Sequence, residues 1–216
     1  MEGDVRRYLH QVLDSLPEGV RLVAVSKYHP AESIAEAYDE GQRVFGESHV
    51  QELQAKHAAL PADIEWHFIG HLQTNKVKLV VPYASLIHSV DSERLLAEID
   101  RNARGLGKTV DILLEIHIAA ESTKQGLEAG EALSLAGRMA EFPNVRLRGV
   151  MGMATFTEDS DQIRREFRLL KALSEQLSGI PDCRQISMGM SEDWRIAVEE
   201  GTTIVRIGTS IFGQRN

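Results

Sequence analysis

The residue best suited to covalent chemistry is Lys27, which directly follows the apolar run Leu-Val-Ala-Val-Ser at 22–26. Lysine is rarely buried unless paired, so at the inner end of such a run it is either paired or put to chemical use. Desolvation disfavours the ammonium form and frees an amine that can attack a carbonyl and form a Schiff base; a side chain snorkelling to the strand end is the alternative. A second group lies in ISMGMSEDWRIAVEEGTTIVRIGTSIFG, near the C-terminal end. Ser191 stands at the predicted start of a helix, where it either caps the first turn or joins free N–H groups in holding an anion. Gly208 lets backbone approach a ligand closely, and Thr209 adds a hydroxyl. The third group is Arg206, whose neighbours Val205 and Ile207 face the other way in an extended strand. A buried guanidinium needs an acceptor, either a carboxylate or a ring nitrogen of a ligand.

These residues are positioned by an alternation of short β-branched runs and longer amphipathic stretches. Strands are predicted at 22–26, 43–46, 65–69, 85–90, 110–118, 146–151, 184–187 and 203–207. Helices are predicted between them at 30–40, 48–59, 72–80, 92–104, 127–141, 160–177 and 192–200, with a further helix at about 2–15. In the helix at 160–177, Ile163, Phe167, Leu170, Leu173 and Leu177 form one core-facing stripe. Alternating strands and helices imply a parallel sheet buried on both faces. An open doubly wound sheet and a closed (β/α)8 TIM-type barrel both fit. The barrel is preferred because the unusual polar residues fall just after strand ends, and a barrel gathers all of those ends at one mouth. In such barrels the loops after the seventh and eighth strands often hold phosphate, and Ser191 and Gly208 occupy those two loops. The expected organisation is a single domain over 1–216.

A Schiff-base lysine, a phosphate site and a donor aimed between them describe a pyridoxal 5′-phosphate pocket. The segments LVAVSKYHP, VFGESHVQE, WHFIGHLQTNK, ESTKQGL, LRGVMGMA, SMGMSEDW and TTIVRIGTSIFG run in order from Leu22 to Gly213. With them the chain resembles the pyridoxal phosphate homeostasis proteins. The resemblance implies a barrel like the alanine racemase N-terminal domain. It also implies a Schiff base on Lys27, phosphate ligands Ser191, Gly208 and Thr209 with Met190 beside them, and Arg206 facing the pyridine nitrogen. Where the family has Gly-Glu-Asn, this chain has Gly46-Glu47-Ser48, so Ser48 and the strand residue His67 are candidates only for the cofactor's surroundings. An arginine at the ring nitrogen leaves it unprotonated and weakens the electron sink. The barrel also consumes nearly the whole sequence, and the second domain that completes a racemase is not expected. No catalytic residue is therefore assigned. The expected role is to hold the cofactor in vitamin B6 homeostasis and pass it to apoenzymes. A racemase or related pyridoxal enzyme is the alternative, followed by an aldolase using Lys27 without a cofactor.

Composition narrows the field further. The 216 residues carry 24 basic and 32 acidic side chains, a formal net charge of −8. That argues against nucleic acid or an anionic membrane as partner. One cysteine, Cys183, cannot form an internal disulfide and fits a reducing compartment. The first residues, MEGDVRRYLHQVLDSL, contain no apolar leader, so a cytoplasmic protein is expected; a monomer is expected because the racemase-type dimer uses the second domain, which is not expected here. No metal is expected either: His67 and His71 have a helical metal-site spacing, but one lies in a strand and the other past its end. His88 and His117 are expected to hydrogen-bond inside the barrel, and either Asp111 or Glu115 to answer a buried base. Lys76 and Lys78 read as a solvated face, and Lys124 and Gly126 as a border of the mouth.

Overall fold

The computed structural model describes residues 4–214, so residues 2–3 of the expected first helix and the ends of the expected domain lie outside them. Helix α1 (Asp4–Ser15) precedes β1 (Arg21–Val25), α2 (Ala31–Asp39), β2 (Val44–Glu47), α3 (Val50–Ala59) and β3 (Glu65–Phe68). The chain continues through α4 (Val77–Val80), β4 (Leu86–Val90), α5 (Glu93–Gly105), β5 (Val110–Ile116), α6 (Ala129–Gly137) and β6 (Val145–Gly152). It ends with α7 (Ser160–Gln176), β7 (Gln185–Ser187), α8 (Trp194–Glu199), β8 (Ile204–Ile207) and α9 (Thr209–Phe212). Each strand pairs in parallel with its neighbours in sequence, and β8 returns to pair with β1, closing an eight-stranded barrel. The expected barrel is the one observed, not the open sheet.

Strand alternation sorts side chains into two cores. Val23, Val44, Leu86, Leu113, Met151 and Ile204 fill the barrel interior. Their sequence neighbours, including Leu22, Ala24, Phe45, Ile112, Leu114, Val150 and Val205, pack outward against the helices. Apolar residues on both faces explain why the strands read as near-continuous hydrophobic runs. Pairing of β6 with β7 depends on Gly149, which has φ +153; a Cβ there would lie 1.8 Å from the Gln185 carbonyl oxygen. Helix α1 packs against α9 and α2. Its Leu9 is fully buried in the same core as Ile211 of α9, so the N-terminal helix supports the loop that follows β8.

Three helices differ from expectation. The stretch 72–80 is a 3-10 turn (Thr74–Lys76) leading into the single turn of α4, since Thr and Asn are weak helix formers. The stretch 127–141 divides into α6 and a 3-10 turn, Met139–Glu141, at Arg138, whose backbone leaves the helical region just after Gly137. Helix α8 starts at Trp194, because residues 191–193 form a turn in which the Met190 N–H donates to Asp193 Oδ1 at 2.6 Å. Ser191 is therefore not the helix cap; Asp193 occupies that position.

Candidate functional site

The mouth of the barrel brings the sequence-selected residues together through the pairing of β1 with β8. Val23 stands opposite Arg206 and Ala24 opposite Ile207. Strand β1 ends at Val25, and Lys27 follows two residues later in the turn above it. Lys27 is half-buried, at the turn where β1 ends. At Gly208 the close approach is to β1: a Cβ at this position would lie 2.8 Å from the Val25 carbonyl oxygen. The Gly208 N–H donates to Ser191 Oγ at 3.4 Å, which joins the loops after β7 and β8. Thr209 is exposed beside them, and the Met190 side chain is also partly exposed.

Arg206 lies inside the barrel, 4% exposed. Its Nη1 donates to Ser187 O at 2.9 Å and Ser187 Oγ at 2.6 Å, and its Nη2 donates to Gly152 O at 3.2 Å. Its Nε has no partner among the described residues. Burial lowers the guanidinium to about 10, with Asp193 and Glu115 opposing the shift, so it stays protonated at neutral pH and can only donate. Glu115 is the carboxylate on the inner face; burial, with Asp91 adding, pushes it up to about 7, while Arg206 holds it down. Asp111 instead accepts from Arg146 Nε at 2.7 Å and forms an ion pair with Arg148, whose Nε lies 2.9 Å away without hydrogen-bond geometry.

A hydrogen-bonded chain runs from Arg206 into the barrel. His88 Nδ1 is 3.0 Å from Ser187 Oγ, and His88 Nε2 is 3.0 Å from His67 Nδ1. Arg206 can only donate, so Ser187 Oγ accepts from it; the direction of donation along Ser187–His88–His67 is set by the His88 tautomer, with His88 Nε2 either donating to His67 Nδ1 or accepting from it. Burial holds both rings neutral: His67 falls to about 3, and His88 lies well below its ordinary value. Of the expected interior histidines, His88 is in place. His117 lies just past β5, half-buried, with Nδ1 2.9 Å from the Lys124 carbonyl oxygen.

The other candidates separate. His67 is buried in the barrel, whereas His71 is exposed and 3.5 Å from Asp91. Ser48 is half-buried just past β2, packed so closely on Gly70 that a Cβ there would meet the Ser48 carbonyl at 2.3 Å. Cys183 is buried, and its thiol is pushed up to about 11, a value unsuited to a nucleophile. Tyr28 is exposed, with φ 67, and its hydroxyl is 3.3 Å from His49 Nε2. Sequence reading missed the role of Ser187 and the cluster Glu47–Glu52–Lys56 behind Lys27. The available signal was a glutamate inside an apolar strand, followed by a Glu-to-Lys i,i+4 pair on the next helix.

Fold and site together define a barrel of the alanine racemase N-terminal type, and the family described as "Alanine racemase, N-terminal domain" matches residues 4–216. The similarity to complete racemases is one of fold: the alanine racemase of E. faecalis superposes with TM-score 0.75 at 15% identity, covering 98% of this chain and 58% of that one. Closer relatives are named pyridoxal phosphate homeostasis proteins. The one from Aquifex aeolicus (strain VF5) is 42% identical, over 90% of this chain and 87% of that protein. The one from Escherichia coli (strain K12) is 36% identical, over 99% and 98%. PipY of Synechococcus elongatus PCC7942, solved with PLP bound, superposes with TM-score 0.88 at 37% identity, covering 97% of this chain and all of PipY. The chain belongs to the pyridoxal phosphate homeostasis protein family. Among the described residues, no helix is long and apolar enough to cross a membrane.

Proposed function

We propose that this chain binds pyridoxal 5′-phosphate as a Schiff base on Lys27 and holds it for delivery to apoenzymes, without turning over amino acids. The observation that carries the reading is the β1–β8 register. It supports the reading by standing Val23, four residues before Lys27, opposite Arg206, while the Gly208 N–H meets Ser191 Oγ in the next loop. The residues present fit the cofactor. Ser191 Oγ meets the Gly208 N–H, the Thr209 hydroxyl stands beside them, and Arg206 keeps its Nε for a ring nitrogen. Met190 takes part through its side chain, since its N–H is committed to Asp193. Burial raises the Asp193 carboxyl, while the Met190 N–H and the Arg206 charge hold it down. Ser48 and His67 belong to the surroundings, with His67 reaching Arg206 only through His88 and Ser187.

The bound cofactor supplies an electron sink, which is strongest when its ring nitrogen is protonated. Arg206, still protonated at neutrality, offers that nitrogen a hydrogen bond and no transferable proton. That favours retention over carbanion chemistry. The amine of Lys27 condenses with the aldehyde and one water leaves; hydrolysis or exchange with another amine reverses the bond, as delivery requires. Absorbance titration with pyridoxal 5′-phosphate tests the reading. A saturable yellow band is expected with the wild type and its loss with Lys27→Ala, whereas a colourless wild type contradicts it. Lys27-dependent exchange of amino-acid α-protons in deuterated water at enzyme-like rates contradicts the non-catalytic part.

A further inference from the structure

Outside the barrel wall, between β2 and α3, a buried charge cluster holds the backbone on either side of Lys27. Lys56 of α3 is 6% exposed and Glu47 of β2 is fully buried. Lys56 Nζ donates to Glu47 Oε1, to Glu52 Oε2 and to the Ser26 carbonyl, each at 2.8 Å. Ser26 Oγ donates to Glu47 Oε1 at 2.6 Å, and the Tyr28 N–H donates to Glu52 Oε2 at 2.7 Å. The residue before Lys27 is thus tied twice and the residue after it once, all to the same three side chains. Tyr28 carries φ 67, a left-handed conformation that a tyrosine keeps only when its surroundings impose it. The bond from its N–H to Glu52 is such a constraint. With Ser26 anchored outward and Tyr28 held in this turn, Lys27 has one way to leave the strand, toward the mouth.

We propose that Lys56, Glu47 and Glu52 form a positioning set for Lys27, fixing the direction of its amine without touching the cofactor. The proposal rests on the reading of Lys27 given above and assigns to the ion cluster the geometry of Schiff-base formation. A merely structural cluster would support the whole pocket equally. A positioning cluster acts on the covalent step and spares non-covalent binding of the same phosphate ligand.

The test compares pyridoxal 5′-phosphate, followed by its Schiff-base absorbance, with pyridoxine 5′-phosphate, which lacks the aldehyde, followed by calorimetry. Lys56→Met is expected to lower the Schiff-base formation constant by about tenfold or more while pyridoxine 5′-phosphate affinity stays within about twofold. Glu47→Leu/Lys56→Met replaces the buried ion pair by an apolar pair, a change that is commonly neutral or favourable to stability, and it removes the Glu47 and Lys56 ties to Ser26. It is expected to show the same split. Glu52→Ala, at a partly exposed position, frees Tyr28 and removes one partner of Lys56 but leaves both ties to Ser26, and is expected to give a smaller loss of the same kind. If Lys56→Met does not fold, the double variant and Glu52→Ala carry the comparison. Equal loss for both ligands, or wild-type Schiff-base formation in the double variant, overturns the proposal. A wild type that forms no Schiff base on Lys27 overturns the preceding reading, and this one with it; a normal wild type with unaltered variants overturns this one alone.

Discussion

On the proposed reading, Arg206 would decide what the pocket can do with a bound pyridine ring, because its charge survives burial and its donors are partly committed to Ser187 and Gly152. Replacing it by a carboxylate reverses the ring's environment. Arg206→Glu is expected to shift the absorption spectrum of the loaded protein by favouring a protonated ring nitrogen; an unchanged spectrum means that Arg206 does not face the ring. The buried titratable groups beside it make opposite contributions to stability. His67 is neutral in the fold, at about 3 against an ordinary 6.5. Its contribution is present above about pH 6.5 and declines as pH falls toward 3, because the unfolded chain binds the proton first. Glu115 is raised from 4.5 to about 7. Its contribution is present below about pH 4.5 and is lost as pH rises through 7. Urea unfolding across pH checks both signs. Relative to wild type, Glu115→Gln is expected to gain stability as pH rises from about 5 to about 8, on the order of 1–3 kcal/mol over the interval, and His67→Asn to flatten the decline on the acid side.

At the level of elements, the barrel wall depends on a few places where backbone meets backbone. Gly149→Ala sets a methyl against the Gln185 carbonyl at a backbone conformation that alanine rarely adopts. It is expected to cost about 3 kcal/mol or more and to lower the thermal midpoint, with β6–β7 amides losing hydrogen-exchange protection first. The strands were legible because burial on both faces leaves a local signature, and every predicted strand falls within two residues of an observed one at each end. Lys27, Arg206 and Gly208 were legible because each interrupts an apolar pattern within its own segment. The rest depended on contacts that no local window contains. His88 meets Ser187 from 99 residues away, and Lys56 meets the Ser26 carbonyl from 30 residues away. The capping alternative for Ser191 fails for a related reason: Asp193 takes the cap position and closes the turn on the Met190 N–H.

For the whole molecule, closure of the sheet converts eight scattered strand ends into one mouth, where the proposed site would draw on the loops after β1, β7 and β8. The net charge of −8 would repel an anionic ligand at long range. The proposed phosphate site does not depend on it, being built from local backbone, hydroxyls and a buried guanidinium. The same acidity agrees with a protein that binds a small phosphorylated molecule and not a polyanion. The central claim is that Lys27 carries the cofactor. It is tested most directly by loading the wild-type protein with pyridoxal 5′-phosphate, reducing it with borohydride and mapping the labelled peptide by mass spectrometry. The account predicts one stoichiometric adduct on Lys27; no adduct, or label spread over surface lysines with Lys27 unmodified, would contradict it.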